Sequence, residues 1–128
     1  MLRREPLRAV NVRIAIDCMG GDHGIPVTVP AAVRFAGTQP DAALLLVGRS
    51  AEIERALGHA TTGIEVMHAE EVIEMNDPPA TALRSKRNSS MRVAINLARE
   101  GRADVVVSAG NTGALMAISR FVLKTLPG

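Results

Sequence analysis

Two strand–glycine loop–helix units, one near each end of the chain, constrain the fold more than any other feature of this sequence. The first is Ile14 to Gly24, I-A-I-D-C-M-G-G-D-H-G, where an apolar run ends in Asp17 and is followed by Gly20, Gly21, Asp22, His23 and Gly24. The second is Val105 to Gly113, V-V-V-S-A-G-N-T-G, with Ser108, Gly110, Asn111, Thr112 and Gly113 after its apolar run. Short β-branched runs bounded by glycine read as buried strands. Glycines directly after a strand allow positive φ and close backbone approach. Two such loops in 128 residues suggest a binding site for an anion, with the rest of the chain as its support.

The intervening chain repeats the alternation. Val12–Cys18 reads as the first strand, and a helix opens at Ile25-Pro26 and runs to about Thr38, with Val29, Val33 and Ala36 or Gly37 on its buried face. Ala42–Val47 is the second strand. Ser50 is the expected N-cap of a short helix ending at Gly58, and Ile64–His68 is the third strand. Glu70–Met75 suggests a turn of helix, broken by Asn76-Asp77-Pro78-Pro79. A short helix over Pro79–Arg87 precedes Asn88-Ser89-Ser90, whose side chains suit the cap of a helix from Ser90 to Glu100. Ala103–Val107 is the fourth strand. The last helix starts at Asn111 or Thr112 and runs to about Thr125, with Leu115, Ile118, Phe121 and Val122 facing inward. Met1–Asn11 lacks periodicity and reads as a mobile lead-in.

Strands that alternate with helices, with no hairpin dipeptide, imply parallel pairing through right-handed crossovers. Three strands wound one way and a fourth crossing back give the order 3-2-1-4. Strands one and four then meet at the switch point, where ligands bind beyond the carboxyl ends of the strands. The fourth strand would have an exposed edge, and Leu126-Pro127-Gly128 is a turn signal, so the expectation is the first part of a longer protein. Residues 12–128 would be the amino-terminal part of one α/β/α domain.

Composition narrows the function. The chain has two Phe and neither Trp nor Tyr, so its core is aliphatic, and it lacks the stacking platforms of single-stranded nucleic-acid binders. The net charge of +2 gives no reason to expect nucleic acid as a partner. One cysteine, Cys18, excludes an internal disulfide and fits a reducing cytoplasm, where it reads as a buried, inert thiol. No apolar stretch approaches the roughly 20 residues of a membrane span, which leaves peripheral contact open.

Several candidates for chemistry remain. Gly20, Gly21 and Gly24 could bring N–H groups onto a phosphate, or form an ordinary βα turn. The spacing is neither G-x-G-x-x-G nor a P-loop, so no nucleotide fingerprint is present. Asp17 and Asp22 could orient loops or hold Mg²⁺, although no metal is expected. Ser108–Gly113 can cap a helix and bind an anion with the same orphan N–H groups. Arg84-Ser85-Lys86-Arg87-Asn88-Ser89-Ser90 is either an anion clamp or a solvated basic turn. His23 is a general-base candidate, whereas His59 and His68 read as surface or strand-end residues.

Taken together and in order, I-A-I-D-C-M-G-G-D-H-G, A-L-R-S-K-R-N-S-S-M and V-V-V-S-A-G-N-T-G-A-L-M-A resemble the bacterial phosphate acyltransferase family of phospholipid synthesis. The resemblance runs from about Val12 to the end. It departs at Ile25, where members carry proline directly after His-Gly and this chain has it at Pro26. The resemblance implies a three-layer α/β/α sandwich related to isocitrate- and isopropylmalate-type dehydrogenases, in longer chains that are typically dimeric. It implies transfer of a long-chain acyl group from acyl carrier protein to inorganic phosphate, in the cytoplasm or at the inner membrane face, without a cofactor. Within that reading Asp17, Lys86 and Asn111 are the expected catalytic groups. Gly20, Gly21, Asp22, His23, Gly24, Ser89, Ser90, Ser108, Gly110, Thr112 and Gly113 are the expected substrate-binding ones. A nucleotide-dependent dehydrogenase and a non-catalytic anion-binding module are the alternatives.

Overall fold

The computed structural model describes residues 12–124; the expected lead-in and the final Leu126-Pro127-Gly128 lie outside them. Strands β1 (Val12–Asp17), β2 (Ala42–Gly48), β3 (Ile64–His68) and β4 (Val105–Ser108) form a parallel sheet in the order β3-β2-β1-β4. Helices α1 (Ile25–Thr38), α2 (Ser50–Leu57), α3 (Pro79–Ser85), α4 (Ser90–Arg99) and α5 (Thr112–Leu123) connect them. This is the expected α/β fold and strand order.

The period-two alternation of β2 separates two cores. Leu44 and Leu46 face Val29 and Ala32 of α1 and Ile53 and Leu57 of α2. Leu45 and Val47 face the opposite way, with Ala15, onto Ala94 and Leu97 of α4. A third cluster joins Ala82, Met91, Ile95, Ala114, Ile118 and Val122, so α3 and α5 stack beside α4. Helices thus cover both faces, and the sheet is the middle of three layers.

On α1 the buried face is Val29 and Ala32, with Val33 and Ala36 half-buried and Gly37 exposed. The helix begins at Ile25, one residue before Pro26, which keeps proline in the first turn where its missing N–H costs nothing. On α5, Ala114, Ile118 and Val122 take the inward stripe at i, i+4 and i+8, and Leu115 is half-buried. Phe121 is not inward: it is 58% exposed, with the Arg92 guanidinium 5.5 Å from its ring centre.

Other boundaries differ from expectation for local reasons. Ser50 is the first residue of α2, not its cap, and its N–H and hydroxyl both meet His68 Nδ1, at 3.2 and 3.0 Å. Glu70–Met75 forms no helix. The Glu71 N–H donates to the Asn88 carbonyl and the Glu71 carbonyl accepts from the Ser90 N–H, so this backbone bonds sideways to the segment that enters α4. α3 stops at Ser85, before Lys86. β4 begins at Val105, because the Ala103 N–H still closes α4 on the Leu97 carbonyl and the Asp104 N–H turns to the Arg13 carbonyl. Among the described residues β4 pairs on one side only, with β1.

Leu46 of β2 is fully buried on the face of the sheet that packs against α1 and α2. Leu46→Ala is expected to lower unfolding stability by about 2–5 kcal/mol, through lost burial plus the cavity left behind. Urea denaturation measures it; a loss below about 1 kcal/mol would mean that the layer collapses to fill the space.

Candidate anion site at the switch point

The strand order reverses between β1 and β4, and both glycine loops leave the sheet there. Asp17 ends β1 and is 2% exposed. Its Oδ1 accepts from the Ser90 hydroxyl at 2.5 Å and from the Met19 N–H at 3.1 Å, and its Oδ2 accepts from the Ser108 hydroxyl at 2.9 Å. One carboxylate therefore joins the first loop, the start of α4 and the end of β4. Ser108 Oγ also accepts from the Gly110 N–H at 3.1 Å, which folds the second loop back on its own strand. The loops touch at their glycines: a Cβ on Gly20 would lie 2.9 Å from the Gly110 nitrogen and 3.1 Å from both Asp17 Oδ2 and Ser108 Oγ.

The hydroxyls around Asp17 are committed. Ser89 is fully buried, and its Oγ caps α4 by accepting from the Arg92 N–H at 3.0 Å. Ser90 is buried against Asp17. Asn111 caps α5: its Oδ1 accepts from the Ala114 N–H at 3.1 Å, while its Nδ2 donates to the carbonyls of Asp77 at 2.8 Å and Glu74 at 3.1 Å. Lys86 Nζ donates to the Val72 carbonyl at 2.8 Å and to Asp77 Oδ2 at 2.7 Å.

Backbone donors remain. In α5 the Ala114 and Leu115 N–H groups have Asn111 as acceptor, which leaves those of Thr112 and Gly113 without one among the described residues. They sit at the positive end of a 12-residue helix. α1 offers less: Pro26 has no N–H, and the N–H groups of Val27 and Thr28 already donate to the Gly24 carbonyl, both at 3.0 Å. Gly21 and Gly24 have φ of 86° and 58°, so these loop positions favour glycine. Asp22 and His23 are exposed on the first loop, and Thr112 and Gly113 are exposed at the start of α5.

The structure thus brings Asp17, Gly20, Ser90, Ser108 and Gly110 into direct contact, and joins Asn111 to Lys86 through Asp77. Asp22, His23 and Gly24 stand on the outer part of the first loop. Sequence reading passed over Asp77, whose Asp-Pro-Pro context signals a turn and hides its side chain's role. Among the described residues, no group of three His, Cys, Asp or Glu side chains converges to hold a metal. No described helix is long and apolar enough to cross a membrane.

Comparison with known proteins decides the relationship. Residues 12–128 match the family model described as "Fatty acid synthesis protein". The chain belongs to that family. It is 56% identical over 123 residues to the phosphate acyltransferase of Herminiimonas arsenicoxydans and 55% identical over 123 residues to that of Janthinobacterium sp. (strain Marseille), each match covering 93% of this chain and 34% of the relative. The phosphate acyltransferase of Bordetella petrii is 57% identical over 121 residues, with 91% and 34% covered. The chain therefore spans about a third of the length of these curated relatives.

Two predictions follow from the packing at this site. Gly20→Ala is expected to destabilise by about 1–3 kcal/mol, because backbone must move to admit the methyl. Gly37→Ala, in open space within α1, is expected to stabilise by about 0.5–1 kcal/mol, so urea titration of the pair should give opposite signs. The second concerns Cys18, which is fully buried; burial pushes its thiol up from 9.0 to about 11. A folded-state value above the unfolded one favours the folded protein below pH 9.0, and that advantage disappears as pH rises toward about 11. Thermal midpoints should fall across that window in the natural chain, and less steeply in Cys18→Ala. Equal slopes would show that Cys18 does not titrate there.

Proposed function

We propose that this chain is part of an enzyme that moves a long-chain acyl group from acyl carrier protein to inorganic phosphate, giving acyl phosphate for phospholipid synthesis. The observation that carries the reading is the pair of glycine loops fastened together through Asp17 at the switch point, in a chain over half identical to phosphate acyltransferases. Phosphate would lie against the Thr112 and Gly113 N–H groups and the Gly20–Gly24 backbone, as anions do at helix N-termini. Asp17 and Asn111 would hold those donors in place, Gly110 would admit the close approach, and Ser89, Ser90 and Ser108 would stiffen the frame. Asp22 and His23, exposed at the rim, are the groups available to meet a bound substrate or its proton.

The chemistry suits this equipment. A phosphate oxygen attacks the thioester carbonyl, a C–O bond forms, the C–S bond breaks, and the carrier thiolate leaves and takes up a proton. No covalent enzyme intermediate is needed, so the task is to position phosphate and stabilise the oxyanion with fixed donors. An apolar recess of about 310 Å³ adjoins the same loops, lined by Val27, Ala31 and Phe35 of α1 and by Ile16, Val107 and Ala109. It offers an acyl chain apolar surface beside the anion. Acyl carrier protein, a second copy of the chain and a membrane surface are the partners in this reading.

The test is phosphate-dependent formation of acyl phosphate from palmitoyl carrier protein, trapped as the hydroxamate. It should be run on this chain and on a chain of the relatives' length that carries it. Product from both places the working groups within these residues, and product from the longer chain alone places essential groups elsewhere. No product from either, with both folded, would sink the acyltransferase reading.

A further inference from the structure

We propose that Asp77 is the positioning residue of the anion site, and that Lys86 acts on the site through Asp77 rather than by touching the anion. The inference rests on the anion-site reading above and deepens it.

Glu74–Asp77 forms a turn ahead of α3. Asp77 Oδ2 accepts from the Glu74 N–H at 2.8 Å, and the Asp77 N–H donates to the Glu74 carbonyl at 3.1 Å, so the turn is closed by its own side chain. Lys86 Nζ adds the third bond, at 2.7 Å to the same Oδ2, and fixes the turn to the segment before it through the Val72 carbonyl at 2.8 Å. With both ends held, the carbonyls of Glu74 and Asp77 point together at one group, the Asn111 amide, at 3.1 and 2.8 Å. That amide's other atom, Oδ1, caps α5. Gly113 supplies an independent contact, because a Cβ there would lie 2.9 Å from Cγ of Pro79, two residues after Asp77. The 74–79 segment therefore grips the start of α5 at Asn111 and at Gly113, on either side of Thr112.

Charge fits the same role. Lys86 and Asp77 are half-buried and neutralise each other, and the Lys86 hydrogen bond, followed by that from the Glu74 amide, holds the Asp77 carboxyl below its usual range. In this arrangement the Lys86 ammonium donates to protein, to the Val72 carbonyl and to Asp77 Oδ2. A lysine bound to phosphate directly would be a separate contributor to affinity. A lysine that braces Asp77 would not.

A double-mutant cycle separates the two. Inorganic phosphate is titrated calorimetrically into the natural chain, Asp77→Asn, Lys86→Met and the double variant. The expectation is that each single change weakens phosphate binding by about tenfold and that the double variant is no weaker than either single one, since interacting residues are non-additive. Lys86→Arg, which keeps the charge and adds donors, should restore much of the loss. Losses that multiply, to about a hundredfold in the double variant, would overturn the proposal and return Lys86 to the anion itself. Amide exchange gives a readout that needs no ligand: the Ala114 N–H, held by Asn111, should exchange faster in Asp77→Asn and in Lys86→Met, with the slowest core amides of β2 unchanged. Unchanged exchange at Ala114 in both would also overturn it. If the natural chain binds no phosphate but Ala114 responds as expected, the latch stands and the anion reading falls.

Discussion

A buried carboxylate that has to be satisfied is the constraint on which the rest of this structure depends. Asp17 sits at the end of the central strand, out of water. A carboxylate removed from solvent is costly unless donors surround it. Its donors come from three places far apart in sequence: Met19 in its own loop, Ser90 at the head of α4 and Ser108 at the end of β4. Each hydrogen bond to a charged group is worth roughly 1.5–3 kcal/mol. More important is what satisfying all of them requires. β4 must lie beside β1, α4 must start beneath both, and the two glycine loops must converge above them. The polar requirement of one residue thus selects the same topology that hydrophobic alternation and right-handed crossovers select by other means.

That agreement explains why the fold was so legible. The period-two run Leu44–Val47 and the caps and glycines around it specify strands and helices locally, and the crossover rule turns their order into β3-β2-β1-β4. The errors have the opposite character, since each arises where a distant partner outcompetes a local preference. Ser50 has the chemistry of an N-cap, but His68, from the adjacent strand end, accepts its N–H and moves the helix start. Glu70–Met75 has helical composition, but its backbone finds Asn88 and Ser90 first. Phe121 falls close to the inward stripe of α5, yet smaller Ala114 and branched Ile118 and Val122 fill that stripe, and Phe121 rests under Arg92.

The site was legible as a set of residue types and not as a set of partners. Glycine and hydroxyl residues at two strand ends mark a place where backbone approaches something. Nothing in the linear pattern says that Ser90 bonds to Asp17, 73 positions away, or that Ser108 does so from 91. The same blindness concealed Asp77. Between Asn76 and Pro78 it reads as punctuation, and its value lies in the ammonium of Lys86 and the amide of Asn111, which the fold brings to it. Lys86 was conspicuous because it stands among basic residues, yet exposed basic residues are cheap and a basic cluster carries no information about which member is engaged.

The consequence is a division of labour between side chain and backbone. At this switch point the hydroxyls of Ser89, Ser90 and Ser108, the amide of Asn111 and the ammonium of Lys86 all have protein partners. What those bonds leave available are N–H groups at the start of α5, whose directions are set by the bonds behind them. Donors of that kind need not reorganise when charge arrives, which is the condition under which a hydrogen bond stabilises a developing oxyanion more than water does. A flexible lysine reaching into the same space would supply more charge and less geometry, because its four-carbon stem must be ordered for each contact it makes. Bracing the loops with side chains and presenting backbone to an anion would therefore suit the proposed acyl transfer, whose difficulty is aim rather than activation.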